Sequence, residues 1–177
     1  MKSCEIILAG FGGQGILFSG KVIAYSGLKA GREVSWLPSY GPEMRGGTCN
    51  CHVVVSDSPV GSPIIPNPDV LIAMNRPSLD KFENDVKAGG FIIVDSSLID
   101  RESTRTDINF VKIPATEMCL KEKLGNLANM VIAGKFIKET GLYTLEEITE
   151  GLKKSVPPTK AALLEKNLKA IELGYEY

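Results

Sequence analysis

Two short glycine-rich stretches carry the residues most able to do chemistry. The first is Gly10-Phe11-Gly12-Gly13-Gln14-Gly15, in which Gly10, Gly12 and Gly15 satisfy a G-x-G-x-x-G spacing. Glycines at such positions permit a tight turn, and a helix starting behind them offers free N–H groups and partial positive charge to an anion. The second stretch is Tyr40-Gly41-Pro42-Glu43-Met44-Arg45-Gly46-Gly47. It sets a carboxylate and a guanidinium two residues apart, and a guanidinium there could clamp a carboxylate or phosphate with two hydrogen bonds. A tight loop closed by an internal Glu43–Arg45 pair is the plainer reading of the same residues.

Cys49-Asn50-Cys51-His52 is the third cluster. Period-two geometry puts both thiols on one face of a strand and His52, the sole histidine, on the other. This reads as small apolar side chains in a sheet rather than a metal site. The four cysteines are scattered, without the Cys-x-x-Cys units that hold iron–sulfur clusters, and no metal is expected on this chain. With no serine–histidine–aspartate set and no paired carboxylates, a self-contained acid–base site is not evident, and no catalytic residue is assigned.

The elements around these stretches explain their placement. Glu5-Ile6-Ile7-Leu8-Ala9 has the form of a buried parallel strand running into the first glycine loop. An apolar helix follows, ending near Gly31, and Glu33 to Leu37 reads as a second strand. This strand–turn–helix–strand run is a βαβ unit. A dinucleotide fingerprint would also need an acid at the end of the second strand, about 20 residues on. Ser35-Trp36-Leu37-Pro38-Ser39 stands there, and Glu33 lies at the strand's other end, which argues against a nicotinamide or flavin dinucleotide. Two uses of the first loop stay open: binding another anion, or close helix–strand packing with Gln14 contacting a neighbouring subunit. The second loop leaves its strand at the same edge of the sheet as the first, where open α/β sheets bind ligands. Asn75-Arg76-Pro77 and Asp95-Ser96-Ser97 reach that rim too, as ligand groups or helix caps.

Further strands are expected at Cys49 to Ser56, Val70 to Met74 and Phe91 to Asp95, with an edge strand at Ile108 to Ile113. Asp57 to Pro68, with four prolines, reads as an extended excursion, and Ser78 to Lys87 as a short helix. From Pro114 onward the spacing turns helical. One helix runs over Ala128 to Ile137 and ends at Gly141, a second opens with the capping-box residues Thr144 to Glu147, and a last one closes at Gly174. The expected fold is one α/β domain over residues 1–177. It has a Rossmann-like parallel or mixed sheet, flanking helices and a helical C-terminal third.

Charge and hydropathy exclude several classes. The net charge is -1, which leaves no basic field for a nucleic-acid backbone. No apolar run approaches the roughly 20 residues needed to span a bilayer. The opening residues lack a signal-peptide pattern, so a cytoplasmic protein is expected.

The two loops, with Val53-Val54-Val55-Ser56 and Gly125-Asn126-Leu127-Ala128-Asn129-Met130-Val131, resemble the gamma subunit family of 2-oxoacid:ferredoxin oxidoreductases. The likeness spans nearly the whole chain and is most like the 2-oxoglutarate-type branch, with pyruvate and ketoisovalerate types similar. The resemblance implies a role in a complex that converts a 2-oxoacid and coenzyme A into acyl-CoA and carbon dioxide, passing electrons to ferredoxin. It implies alpha, beta and ferredoxin-like delta partners, with thiamine diphosphate and iron–sulfur clusters held on other subunits and none bound by this chain alone. Gly10, Gly12, Gly13, Gln14, Gly15, Tyr40, Gly41, Pro42, Glu43, Arg45, Gly46 and Gly47 are then the candidate contacts to coenzyme or partner. A free-standing NAD(P)- or flavin-dependent oxidoreductase and a pure scaffold are the alternatives.

Overall fold

The computed structural model describes residues 3–39 and 48–177. Among these residues six strands form one mixed sheet: β1 (Ser3–Phe11), β2 (Glu33–Ser39), β3 (Thr48–Ser56), β4 (Val70–Ala73), β5 (Phe91–Asp95) and β6 (Asn109–Ile113). Their order across the sheet is β2-β3-β1-β4-β5-β6. β4, β5 and β6 run parallel to β1. β3 pairs antiparallel with both β1 and β2, which makes β2 parallel to β1 at one remove. The sheet is therefore mixed, and the β6 edge strand is where the alternating sequence put it.

The expected βαβ unit needs correction. β1, α1 (Ile16–Lys29) and β2 follow in sequence, but β3 lies between the two parallel strands. Neighbouring strands are about 4.8 Å apart, so the end of β2 sits about twice that distance from β1.

Side-chain parity sorts the core into two faces. Ile6, Leu8, Cys51, Val53, Val55, Ile72 and Ile93 point to one side. There they meet α1, α4 (Ala128–Thr140), α5 (Leu145–Ser155) and α6 (Ala161–Glu176). Ile7, Ala9, Val54, Leu71, Ile92 and Val94 point to the other. They are covered by Leu79 of α2 (Arg76–Phe82), by Val86 beyond a 3-10 turn at Glu83–Asp85, and by Ile65 and Ile99 from loops. The expected helix over Ser78 to Lys87 is thus a shorter, earlier helix plus that turn. Asn75 caps it, its side chain accepting the Ser78 N–H, and Pro77 sits in the first turn where its missing donor is harmless.

The C-terminal helices follow local signals with two exceptions. Thr144 and Glu147 form both halves of the capping box of α5, and Gly141 ends α4 in the left-handed conformation. One exception is α3 (Ala115–Lys121), a helix that the spacing after Pro114 did not single out. The other is Gly174, expected as a stop, which lies inside α6. A Cβ there would stand 1.8 Å from the Val131 carbonyl oxygen, and one on Gly134 1.9 Å from that of Ile171. These two glycines let α4 and α6 cross nearly backbone to backbone. No described helix is long and apolar enough to cross a membrane.

Candidate functional site

Because β1, β2, β4, β5 and β6 are parallel, their carboxyl ends share one edge of the sheet. β1 continues through α1 towards β2 on one side, while β4 continues through α2 towards β5 on the other. The gap between the ends of β1 and β4 is thus the topological switch point where α/β sheets hold ligands. A crevice of about 270 Å³ opens beside it, lined by Gly13, Gln14, Met74, Thr116, Cys119, Leu120, Gly125, Asn126 and Ala128. No charged side chain is among them. The segment between Ser39 and Thr48 starts and ends at this edge, since Thr48 pairs with Phe11 and Ser39 with Asn50. Tyr40, Gly41, Pro42, Glu43, Arg45, Gly46 and Gly47 themselves lie outside the described residues.

The first loop is built around Gln14. Its main-chain N–H donates to the Phe11 carbonyl at 3.2 Å, closing a turn. Its side-chain Oε1 accepts the Phe11 N–H at 2.6 Å, and its Nε2 donates to the Met74 carbonyl at 2.9 Å. One side chain therefore straps the end of β1 to the end of β4. Gly10 makes room for it, because a Cβ at that position would stand 2.6 Å from Gln14 Oε1 and 2.8 Å from Ile16 Cδ1. Gly12 and Gly13 form the turn, and Gly13 has φ 96° with open space around it.

Gly15 caps α1 at φ 76°. A Cβ there would also collide with Asn129, whose Nδ2 would be 2.4 Å away. The Asn129 amide donates to the Gly15 carbonyl at 3.2 Å and to Ser19 Oγ at 3.0 Å. The third glycine is thus required by packing as well as by backbone angle. Asn129 belongs to the Gly125–Val131 motif, where nothing local gives it a role. Its partner is 114 residues away, so only folding assigns one. Thr116, Cys119 and Leu120 of the crevice wall had no sequence signal, because α3 itself had none.

Asn75 and Asp95 turn inward as caps. Asp95 is fully buried and accepts from the Ser97 N–H (3.0 Å) and from the Thr116 hydroxyl (2.6 Å) and N–H (3.2 Å). It thereby ties the end of β5 to the start of α3.

The thiols sit as the strand geometry required. Cys49 and Cys51 face the helix-covered core, and His52 faces the other way, its Nδ1 accepting the Ile65 N–H at 3.1 Å. Burial lowers the pKa of His52, in keeping with a neutral ring whose Nδ1 is an acceptor. Burial pushes the Cys4 and Cys51 thiols up to about 12 and raises Cys49 and Cys119 as well. A thiol ligates metal as thiolate, which this core disfavours. Among the described residues, no group of three or more His, Cys, Asp or Glu converges to hold a metal ion. The described part of the chain does not fit an iron–sulfur cluster.

A dinucleotide fits poorly too. The end of β2 is displaced from β1 by the width of β3, so no side chain there can reach a ribose bound at the first loop in the usual way.

Residues 5–177 match the family described as pyruvate ferredoxin/flavodoxin oxidoreductase. Ketoisovalerate oxidoreductase subunit VorA of Methanothermobacter marburgensis is 37% identical over 99% of the chain, which spans 37% of that protein's length. The 2-oxoglutarate synthase subunit KorC of Methanocaldococcus jannaschii is 37% identical over 97% of the chain and 92% of its own length. The solved gamma subunit of a keto/oxoacid ferredoxin oxidoreductase from Geobacter sulfurreducens superposes with a TM-score of 0.85 at 30% identity, covering 99% of this chain and 96% of that one. With the mixed sheet, the glycine loop and the likeness running from end to end, the chain belongs to the pyruvate ferredoxin/flavodoxin oxidoreductase family and has the fold of its gamma subunits.

Proposed function

We propose that this chain is the gamma subunit of a multi-subunit 2-oxoacid:ferredoxin oxidoreductase, a single gamma-type domain over residues 1–177 acting in the cytoplasm. The complex would oxidatively decarboxylate a 2-oxoacid, with 2-oxoglutarate favoured, to acyl-CoA and carbon dioxide, handing electrons to ferredoxin. Alpha, beta and ferredoxin-like delta subunits would be its partners and would hold thiamine diphosphate and the iron–sulfur clusters. The observation that carries this is the end-to-end match to KorC, 37% identical over 92% of that protein. The described crevice agrees with it: its lining carries no charged side chain, and no metal-binding group converges among the described residues, which suits a surface that completes another subunit's pocket. In this reading Gly10, Gly12, Gly13, Gln14 and Gly15, with Tyr40, Gly41, Pro42, Glu43, Arg45, Gly46 and Gly47, face coenzyme A or a partner.

The test is reconstitution. The isolated chain is expected to show no 2-oxoacid-dependent reduction of ferredoxin or a viologen dye. Adding the other subunits, 2-oxoglutarate and coenzyme A should yield turnover that depends on this chain. Turnover by the chain alone, or turnover of the other subunits without it, would overturn the assignment. A free-standing NAD(P) or flavin enzyme draws support from the glycine spacing, and calorimetry with nicotinamide dinucleotides and with FAD and FMN separates the two; binding of none of them removes it.

A further inference from the structure

The two edges of the sheet are guarded unequally. β6 carries Lys112, paired with Glu102, and a charged side chain on an edge strand deters a further strand. β2, the opposite edge, has an uncharged middle, Val34-Ser35-Trp36-Leu37. Its main chain is open at defined positions. The Glu5 and Ala9 carbonyls of β1 face β4, accepting the Asp69 N–H at 2.8 Å and the Met74 N–H at 2.9 Å. Main-chain groups alternate in direction along a strand. Even-numbered residues of β1 therefore bond to β3, where the register pairs them with odd-numbered ones. Even-numbered residues of β3 bond in turn to odd-numbered ones of β2. The N–H groups of Val34 and Trp36, and the carbonyls of Val34, Trp36 and Pro38, thus point away from the sheet. Pro38 has no N–H to offer there, which is where an edge tolerates proline. Among the described residues, nothing pairs with this row.

Apolar side chains flank the row on both faces. On the helix-covered face a groove is lined by Lys21, Ala24, Tyr25, Leu28, Val34 and Trp36, and Leu28 is 54% exposed. On the other face Leu37, opposite His52, is 39% exposed. A helix laid against the edge would cover one face, whereas an added strand bonds to the row and sends alternate side chains to both. Charge then selects the source of the strand. α1 carries Lys21 and Lys29 and no acid. Antiparallel pairing of β2 with a second copy would set the two α1 helices side by side with like charges opposed.

We propose that the β2 edge docks an extended segment of another subunit, which joins the sheet as a further strand through the main chain of Val34 and Trp36. This rests on the complex-subunit reading given above. The segment sets apolar side chains against Tyr25 and Leu28 on one face and Leu37 on the other, and a carboxylate against Lys21.

The test is amide hydrogen exchange on the full chain, free and bound to native complex from which this subunit has been stripped. In the free chain the Ser35 and Leu37 amides, bonded to β3, should exchange slowly, and those of Val34 and Trp36 fast. In the complex the Val34 and Trp36 amides should slow by roughly tenfold or more. Leu28→Gln and Leu37→Gln, one on each face, should each raise Kd roughly tenfold. Lys21→Met should raise it severalfold in low salt and remove most of the salt dependence seen with wild type. Leu163→Gln, exposed on α6, should bind like wild type. Thermal unfolding of each isolated variant reads stability separately. Binding that leaves the Val34 and Trp36 amides fast, a response to only one of the two leucines, or unchanged salt dependence in Lys21→Met would each overturn the proposal while leaving the complex reading intact. So would self-association of the isolated chain that protects the same two amides, since the occupant would then be a second copy. Failure of the wild-type chain to bind at all would overturn both.

Discussion

The two faces of the sheet are held by different physics. On one face, α1, α4, α5 and α6 form a thick apolar layer, and helices approach through glycines: Gly134 and Gly174 between α4 and α6, Gly151 against Ser26 between α5 and α1. On the other face, one short helix, a 3-10 turn and loops form a thin layer tied together by charge. Glu83, only 4% exposed, accepts hydrogen bonds from Arg101 (2.7 Å), the Ser103 hydroxyl (2.6 Å) and the Thr104 N–H (2.9 Å). Arg105 reaches the Glu83 and Val86 carbonyls and pairs with Asp107. The thick face should fail by steric insult and ignore salt and acid. The thin face should respond to both.

The largest effect is expected from Gly174→Ala. Its Cβ would meet backbone on α4, which cannot step aside without parting the helices. Overpacking of this kind costs about 3 kcal/mol, or a fall of about 10 °C in Tm for a chain of this size, and the drop should be the same in low and high salt. Thermal unfolding by circular dichroism checks it. A drop under about 3 °C would mean that the close crossing is not rigid.

Arg101→Ala comes next, at about 2 kcal/mol, because it leaves the Glu83 carboxylate buried with fewer partners. Burial opposes ionisation of Glu83, but the hydrogen bonds from Arg101, Ser103 and Thr104 prevail and hold its pKa below the ordinary carboxylate value. Stability from a lowered carboxylate pKa is present above the unfolded value of about 4.3 and is lost as pH falls through the folded one. The gap between wild type and Arg101→Ala in urea unfolding should therefore be full at pH 6 and narrow below about pH 4. A gap that widens in acid would contradict the clasp.

The smallest effect is Lys87→Met. Lys87 bridges Glu5 (2.7 Å) and Asp69 (2.9 Å) where the thin layer meets the start of β1, and it is partly exposed. Burial works against its charge, yet the bonds to Glu5 and Asp69 win and raise its pKa. That contribution holds below the unfolded value of about 10.4 and is lost as pH rises through the folded one. Solvent screening limits it at neutral pH to under about 1 kcal/mol, and most of that should vanish in 0.5 M salt.

What could be read in advance follows the reach of each signal. The capping box at Thr144 and Glu147 and the left-handed Gly141 are local, complete within four residues, and both stand as the residues suggest. The alternation through Cys49 to Val55 fixed which side chains share a face, and the thiols and His52 divide accordingly. Gly174 was misjudged because a glycine near a chain end looks like a cap, while its purpose is set by Val131, 43 positions away. α3 was missed because seven residues are too few to display a helical period.

The glycine loop shows the same division at the site. The sequence by itself determined that a turn rich in glycine would join a buried strand to a helix, since backbone freedom and apolar runs are local properties. It also determined, through the missing acid after the second strand, that the turn lacked a nucleotide's usual partner. Only the tertiary structure decided that β3 would separate β2 from β1, that Gln14 would strap β1 to β4, and that Asn129 would close on Gly15. Strand order and such contacts depend on which distant surfaces bury best together, a choice made by the whole chain at once.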